Sequence, residues 1–272
     1  MWDLLVGYAG MVWFRPAGGS DLEPAPWLPN AVQALSPDGM LVMVNSVATL
    51  TLIDLQTRTR TELPRGGWSA MQCAFSPASD QVAVLWVNGD EAVVTVGPAT
   101  GDTRREIWRA EGGCNQESAV AWSPTGAQIA VTWQVYDEDE DADFHRTAVI
   151  DLNGNELARR ENARMFPANP AAWTADGALH LVDQEIDISA FTQVHLWGPV
   201  APAESPLWNP PDSRTATGER IVATAPQQLP AELVILRPDG AVDRSITALP
   251  VLSDPSRPAA VSRVLTVPSF IG

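Results

Sequence analysis

The sequence contains no lysine, and all 17 of its basic residues are arginine. Its 33 acidic residues leave a formal net charge of −16 at pH 7. A surface of this sign repels phosphate backbones and anionic lipid headgroups. We therefore expect no nucleic-acid partner and no direct membrane insertion.

Cysteine and histidine are also scarce, with two and three copies. Two cysteines make no disulfide framework. Cys73 lies in an apolar strand pattern that predicts a buried thiol, whereas Cys114 lies in the loop EGGCNQE, and their spacing neither requires nor excludes a bridge. The histidines lack zinc-binding spacing, and neither a G-x-S-x-G elbow nor a phosphate-binding loop is present. The sequence therefore predicts no catalytic residue.

No apolar run is long enough to span a bilayer. The segment from Leu4 to Phe14 is largely apolar, but Asp3 precedes it in place of a positive residue and no small-residue cleavage site follows. We interpret the segment as strands and expect a cytoplasmic location for the chain as given.

The dominant pattern is a strand that ends in a Ser-Pro-type turn and is followed by a two-stranded hairpin. The strand and turn recur at 31–39, 71–79, 119–126 and 171–177. The first strands of six hairpins are centred on Phe14, Ile53, Val96, Ile150, Leu196 and Leu236, at spacings of 39, 43, 54, 46 and 40 residues. Strand-only units with periods of this length are typical of propeller blades.

The segments at the two ends of the chain supply the strands of one blade. Strands over 4–23 have no inner strand before them, and an isolated strand over 259–267 has no hairpin after it. Sharing one blade between these ends would remove the open edges of a linear array. The sequence therefore predicts an all-β fold with a single domain over residues 1–272: a six-bladed β-propeller of four-stranded blades, closed by the C-terminal strand pairing with the N-terminal three strands.

The units ALSPDGMLVMVNSVATLTLIDL (34–55) and 121–152 resemble the WD40-like (PD40) repeats of TolB-type β-propellers. The resemblance covers 34–63, 74–107 and 121–160 well and 172–197 in part. The second unit departs from it with SPASD in place of SPDG, and no blade ends in the Trp-Asp dipeptide of eukaryotic WD40 repeats. The resemblance implies a bacterial propeller protein, with a periplasmic or extracellular location as the alternative to the cytoplasm.

Two recurring positions are predicted to be structural. Large apolar side chains end the inner strands and should fill the wedges between blades; they are Leu35, Phe75, Trp122, Trp173 and Trp208. Asp54 and Asp151 end the first strand of their hairpins and should accept backbone N–H bonds in the turn. Gly97 is aligned with these aspartates in the second unit.

An acidic run, YDEDEDADFH at 136–145, interrupts the third unit. Its alternate residues Asp137, Asp139, Asp141 and Asp143 offer the oxygen ligands that Ca²⁺ prefers. The spacing does not meet the EF-hand pattern, and a dense run of like charge is more typical of a solvated loop. We therefore predict no cofactor and keep a Ca²⁺ site at these residues as the alternative.

Longer loops connect consecutive blades, at 24–31, 64–70, 109–117, 161–169, 198–204 and 247–258. In a propeller they emerge on the same face as the acidic insertion. Loops on rigid scaffolds carry function, and exposed aromatics beside arginine are typical of protein-binding hot spots. The candidate partner-binding residues are Trp27, Trp68, Arg65, Arg109, Arg164 and Phe166.

Two functions remain open at this point. The first is a non-catalytic scaffold that mediates protein–protein interaction or subunit assembly through the loop face, and the missing catalytic spacings favour it. The second is a propeller hydrolase or lactonase with a divalent metal in the central channel. Glu117, Asn169 and Glu204 precede inner strands and are the candidate channel-lining residues for that alternative.

Overall fold

The computed structural model of the chain describes residues 2–8, 11–29, 31–45, 50–63, 68–100, 103–114, 118–137, 142–165, 172–173, 177–183, 194–197, 213–214, 220–223, 232–237, 241–248 and 261–266. These residues form β-strands joined by turns and loops. No helix among them has the length and apolarity needed to cross a membrane.

The first three sheets of the described chain each contain four antiparallel strands. The first sheet has the order β23-β1-β2-β3, with β1 (Trp2–Tyr8), β2 (Met11–Pro16), β3 (Glu23–Pro24) and β23 (Val261–Thr266). The second contains β4 (Val32–Leu35), β5 (Leu41–Asn45), β6 (Leu50–Asp54) and β7 (Arg60–Leu63). The third contains β8 (Ser69–Phe75), β9 (Gln81–Asn88), β10 (Glu91–Pro98) and β11 (Arg105–Glu111).

The remaining three sheets follow in chain order. The fourth contains β12 (Ala119–Trp122), β13 (Gln128–Asp137), β14 (Ala142–Asp151) and β15 (Glu156–Arg160). The fifth has three strands within the described residues: β16 (Ala163–Met165), β17 (Leu179–Asp183) and β18 (Val194–Trp197). The sixth contains β19 (Ser213–Arg214), β20 (Arg220–Ala223), β21 (Glu232–Leu236) and β22 (Val242–Ala248).

The sheets pack through their inner strands, and both chain ends meet in the first sheet. β23 pairs antiparallel with β1, from Leu4 opposite Thr266 to Tyr8 opposite Val261. β4 packs against β8, β8 packs against β12, and β23 contacts both β4 and β19. Apolar clusters fill the spaces between successive sheets. The sheets are therefore held side by side mainly by apolar burial.

The buried Ser-Pro serines tie each inner strand to the next strand, as the sequence predicts. The Oγ atoms of Ser36, Ser76 and Ser123 accept hydrogen bonds from the N–H groups that open the following strands, at 2.8, 3.0 and 3.1 Å. A seryl oxygen that repeats this bond in three sheets is a structural part of the turn.

The wedge position is confirmed as core for the described residues: Leu35, Phe75, Trp122 and Trp173 are all buried. Two of them also bind the neighbouring sheet, because the Trp122 indole donates to the carbonyl of Ala74 at 3.0 Å and Trp173 donates to that of Ala121 at 3.2 Å. Trp208 lies outside the described residues.

The predicted turn role of the hairpin aspartates is confirmed. Asp54 accepts the backbone N–H of Gln56 and Thr57 at 2.9 and 2.7 Å, and Asp151 accepts those of Asn153 and Asn155, both at 2.8 Å. The bond from Thr57 is the main cause that lowers the pKa of Asp54 below its ordinary 3.8. The side-chain bond from Asn155 is the main cause for Asp151.

The structure corrects the alignment of the second unit by one residue. Val82 pairs with Gly97, as Val42 pairs with Ile53 and Ile129 pairs with Ile150. Gly97 therefore occupies the position of a core isoleucine, and Pro98 stands where Asp54 and Asp151 stand. The sequence alignment is wrong by one residue because it equates Val96 with those isoleucines.

The inner strands of the fifth and sixth sheets also differ from the prediction. β16 lies within the predicted connection 161–169, and Trp173 makes only an isolated bridge to Leu179. β19 pairs with β20, whereas the inner strand predicted at 205–208 lies outside the described residues. Cys73 and Cys114 are both free thiols, so no bridge joins them.

Candidate functional site

The structure brings together two of the predicted partner-binding residues, Trp68 and Arg109. Trp68 directly precedes β8, and its side chain is half-buried against the cluster between the second and third sheets. The guanidinium of Arg109 lies over the Trp68 ring, 5.4 Å from its centroid. Arg109 was expected in the connection 109–117, but it lies in β11, which continues to Glu111 because it pairs with β10 as far as Glu91.

Two glutamates hold Arg109 in this position. Its Nε and Nη2 atoms donate to the two carboxylate oxygens of Glu106 at 3.0 and 2.9 Å, and its Nη1 donates to Glu91 at 2.7 Å. The bonds to Glu106, and then to Glu91, raise the pKa of Arg109 above its ordinary range. The side chains of Arg109, Glu91 and Glu106 are 42%, 45% and 46% exposed.

We call Trp68, Arg109, Glu91 and Glu106 the Trp68 surface. Exposed ion pairs and exposed cation–π contacts add little to stability, because solvent screens the charges. The arrangement therefore contributes little to folding. It does hold an aromatic ring and a guanidinium in one geometry, at the end of the third sheet that carries the β9–β10 turn.

The glutamates of this surface were missed in the sequence. Glu91 and Glu106 are far apart in the chain, and only the hairpin register of β10 and β11 brings both to Arg109. The signal available was the density of charge in RREIWRAE (104–111), which does not say which face of the strand each side chain occupies.

A second arginine–tryptophan stack lies on the neighbouring sheet and is a core feature. Trp133 is fully buried, with Trp108 packed edge-on at 4.9 Å and the Arg159 guanidinium 5.4 Å from its centroid. Its indole donates to the carbonyl of Glu111 at 3.1 Å. Gly112 follows at φ +127°, where a Cβ would lie 2.8 Å from the Trp133 ring. This stack secures the end of β11 rather than presenting a free ring.

The other predicted residues do not join the Trp68 surface. Trp27 contacts the β6–β7 turn, with Arg58 4.9 Å from its ring centroid and Arg60 donating to its carbonyl at 3.0 Å. Arg164 lies in β16, opposite Val182, and not in a loop, because the chain pairs with β17 from Ala163 onwards. Arg65 and Phe166 lie outside the described residues, as do Glu117, Asn169 and Glu204.

The acidic insertion lengthens one hairpin. β13 and β14 remain paired to Asp137 opposite Ala142, beyond the stretches that pair with β12 and β15. Asp137 and Asp143 lie in these strands, whereas Asp139 and Asp141 are outside the described residues. Tyr136 of this extension is 55% exposed. Within the described ranges, no three His, Cys, Asp or Glu side chains are grouped as metal ligands; the Ca²⁺ site stays a prediction.

Neither a protein-family model nor a curated protein matches the chain by sequence. Solved structures do match it. TolB from Acinetobacter baumannii matches over 97% of this chain with a TM-score of 0.63 and 14% identity, and the chain spans 66% of the length of that TolB. A chain in the crystal structure of a nidogen–laminin complex matches over 97% of this chain and 98% of its own length, with a TM-score of 0.61 and 13% identity.

A TolB candidate from Agrobacterium tumefaciens matches over 92% of this chain and 90% of its own length, with a TM-score of 0.54 and 16% identity. The chain therefore has a TolB-like β-propeller fold, as the resemblance of its repeats implies. Identities this low establish the fold alone.

Proposed function

We propose that this chain is a single six-bladed β-propeller over residues 1–272 and acts as a non-catalytic scaffold that binds a protein partner through the Trp68 surface. The observation that carries the proposal is the exposed Arg109, clamped by Glu91 and Glu106 over the half-buried ring of Trp68. Tryptophan and arginine are the residue types most enriched in binding hot spots.

The pairing of β23 with β1 and the lateral packing of the inner strands support the closed, six-bladed arrangement. Closure by strands from both termini leaves no free edge for non-specific pairing. A rigid ring of this kind holds surface side chains at constant positions, which suits a binding surface.

The use of the repeated polar side chains supports a non-catalytic role. The described Ser-Pro serines and hairpin aspartates form hydrogen bonds within their turns, and the wedge tryptophans form hydrogen bonds to neighbouring sheets. One of the structures with the same fold is a chain in a complex of nidogen and laminin. By analogy with that complex, we favour a non-catalytic scaffold over a metal-dependent hydrolase or lactonase.

The test places a photo-crosslinking amino acid at Asp90, the exposed turn residue beside Glu91, or at Leu157, which is 50% exposed and lies beside the β14–β15 turn at the opposite end of its sheet. We expect a discrete cross-linked partner protein from position 90 and none from position 157. Cytoplasmic and periplasmic fractions of the native cells are probed separately, because the sequence as given favours the first location and the family resemblance implies the second.

Affinity measurements with the recovered partner complete the test. Because truncating a hot-spot tryptophan costs about 2 kcal/mol or more, Trp68→Ala should weaken binding about 30-fold or more, whereas Leu157→Ala should change it less than twofold. Equal affinities for wild type and Trp68→Ala would contradict the proposal. Ca²⁺-dependent lactone hydrolysis by the purified protein would favour the enzyme alternative.

A further inference from the structure

The position that Gly97 occupies in the third sheet is filled by a buried isoleucine in the two neighbouring sheets. Ile53 and Ile150 are 1% and 0% exposed, and each pairs with the residue equivalent to Val82. Val82 and Phe75, which lie in the same row across the third sheet, belong to the apolar cluster between the second and third sheets. An apolar side chain at position 97 would therefore continue this core.

The side chain of Arg104 takes that space instead. A Cβ on Gly97 would lie 2.9 Å from Cγ of Arg104 and 2.3 Å from the carbonyl oxygen of Thr103. The Arg104 stem thus crosses the sheet over Gly97, and its Nη1 donates to the carbonyl of Val82 at 3.0 Å. Its Nε and Nη2 atoms are buried and have no hydrogen-bond partner among the residues that the structure describes.

Three other arginines of the molecule show what the edge of a guanidinium formed by Nε and Nη2 binds. In each of them, Nε and Nη2 donate to the two oxygens of one carboxylate: Arg15 to Asp3, Arg109 to Glu106, and Arg159 to Glu156. The N···O distances range from 2.7 to 3.2 Å. Planar, bidentate pairing with a carboxylate is the geometry that this edge favours.

Because Arg104 is partly buried, its unpaired Nε and Nη2 atoms lower the stability of the fold. Desolvation lowers the pKa of its guanidinium below the ordinary value, and the interaction with Cys73 acts in the opposite direction. A buried charge that lacks a counter-ion and hydrogen-bond partners destabilises a fold, and an apolar side chain in its place is commonly neutral or stabilising. Packing alone therefore does not account for an arginine here.

We infer that Arg104 anchors a binding site for a small organic carboxylate, whose two oxygens accept the Nε–H and Nη2–H bonds. The site lies at the end of the third sheet that carries the β8–β9 turn, opposite the Trp68 surface, so it is independent of the proposed partner binding. Arg104 is half-buried and its neighbours Thr103 and Arg105 are exposed, so the ligand enters from their side. Because both nitrogens are buried, a small carboxylate needs the least rearrangement of the atoms around them.

The experiment compares thermal unfolding and calorimetric titration of wild type, Arg104→Met and the adjacent exposed control Arg105→Met. The probes are acetate and succinate, with phosphate and chloride at matched ionic strength and pH 7. We expect the carboxylates to raise the Tm of wild type and Arg105→Met to a saturating value and to leave Arg104→Met at its chloride Tm. Exchanging chloride for phosphate should leave the Tm of each of the three proteins unchanged.

The second measurement is the Tm of each protein in chloride, without added carboxylate. In chloride, Arg104→Met should unfold at a Tm higher than that of wild type by about 2–4 °C, since it removes an unpaired buried charge. A lower Tm of Arg104→Met in every buffer would assign Arg104 a purely structural role. Equal carboxylate effects on wild type and Arg104→Met would overturn the site, and an Arg104-dependent effect of phosphate alone would overturn its assignment to carboxylates.

Discussion

Trp122 combines packing and hydrogen bonding in a single side chain. It is 4% exposed within the cluster between the third and fourth sheets, and its indole N–H is bonded to the third sheet through the carbonyl of Ala74. Truncation leaves a cavity and also leaves that carbonyl without its partner, and each effect destabilises the fold.

We therefore predict that Trp122→Ala lowers the free energy of unfolding by about 3–5 kcal/mol, measured by urea denaturation. Trp122→Phe keeps most of the apolar volume and should cost less than the alanine variant. The matched control is Val242→Ala, whose side chain is 53% exposed and should change stability by less than about 0.5 kcal/mol. An unchanged unfolding midpoint for Trp122→Ala would contradict this packing arrangement.

The β6–β7 hairpin is an element whose turn depends on one ionised carboxylate. The N–H bonds from Thr57 and Gln56 favour the charged form of Asp54 in the folded state, so its folded pKa lies below the unfolded value near 3.8. Such a group stabilises the fold above its unfolded pKa and loses this contribution as the pH falls through the folded pKa.

We therefore expect the stability difference between wild type and Asp54→Asn to be largest at pH 5 and above and to shrink below about pH 4. Urea unfolding at several pH values between 7 and 3 measures it. Asp151→Asn in the fourth sheet provides a repeat, because the pKa of Asp151 is lowered by the same kind of turn. A difference that does not vary with pH would show that the charge is irrelevant to the turn.

The elements with the clearest local signals were the ones that the sequence predicted well. β4, β8 and β12 end in Ser-Pro-type turns whose chemistry is contained in a few consecutive residues. β16 was missed because its three residues, Ala163–Met165, are too few to show a strand pattern, so only its pairing with β17 identifies it. The one-residue offset at Gly97 arose because valine suits an apolar strand position better than glycine, so Val96 resembles Ile53 and Ile150 more than Gly97 does.

At the scale of the whole molecule, contacts between separate segments were beyond sequence reasoning. Trp68 and Arg109 were each selected as exposed loop residues, but their stacking depends on the register of β10 and β11 and on where β8 begins. Trp27 was grouped with them by loop position, and its contact with Arg58 arises from how the first sheet packs on the second. Side-chain identity suggested candidates, whereas tertiary packing decided which of them meet.

Arg15 links the first and last described sheets. It is 4% exposed, forms a bidentate pair with the buried Asp3 within the first sheet, and donates from Nη1 to the carbonyl of Ile246 in β22 at 3.3 Å. Thr247 adds a bond from β22 to the carbonyl of Ser20 at 3.0 Å. Removing one member of a buried ion pair leaves an uncompensated charge, whereas replacing both members with apolar residues does not.

We therefore predict that Arg15→Met lowers the unfolding free energy by about 3–5 kcal/mol and that the double variant Asp3→Leu/Arg15→Met recovers much of this loss. Arg109→Met, which breaks an exposed pair, should change the stability much less than Arg15→Met. If the first and sixth sheets form one cooperative unit in a closed ring, hydrogen exchange in Arg15→Met should accelerate in β22 together with β1 and β2. Acceleration confined to β1 and β2 would mean that the sixth sheet opens independently and that Arg15 does not help to close the propeller.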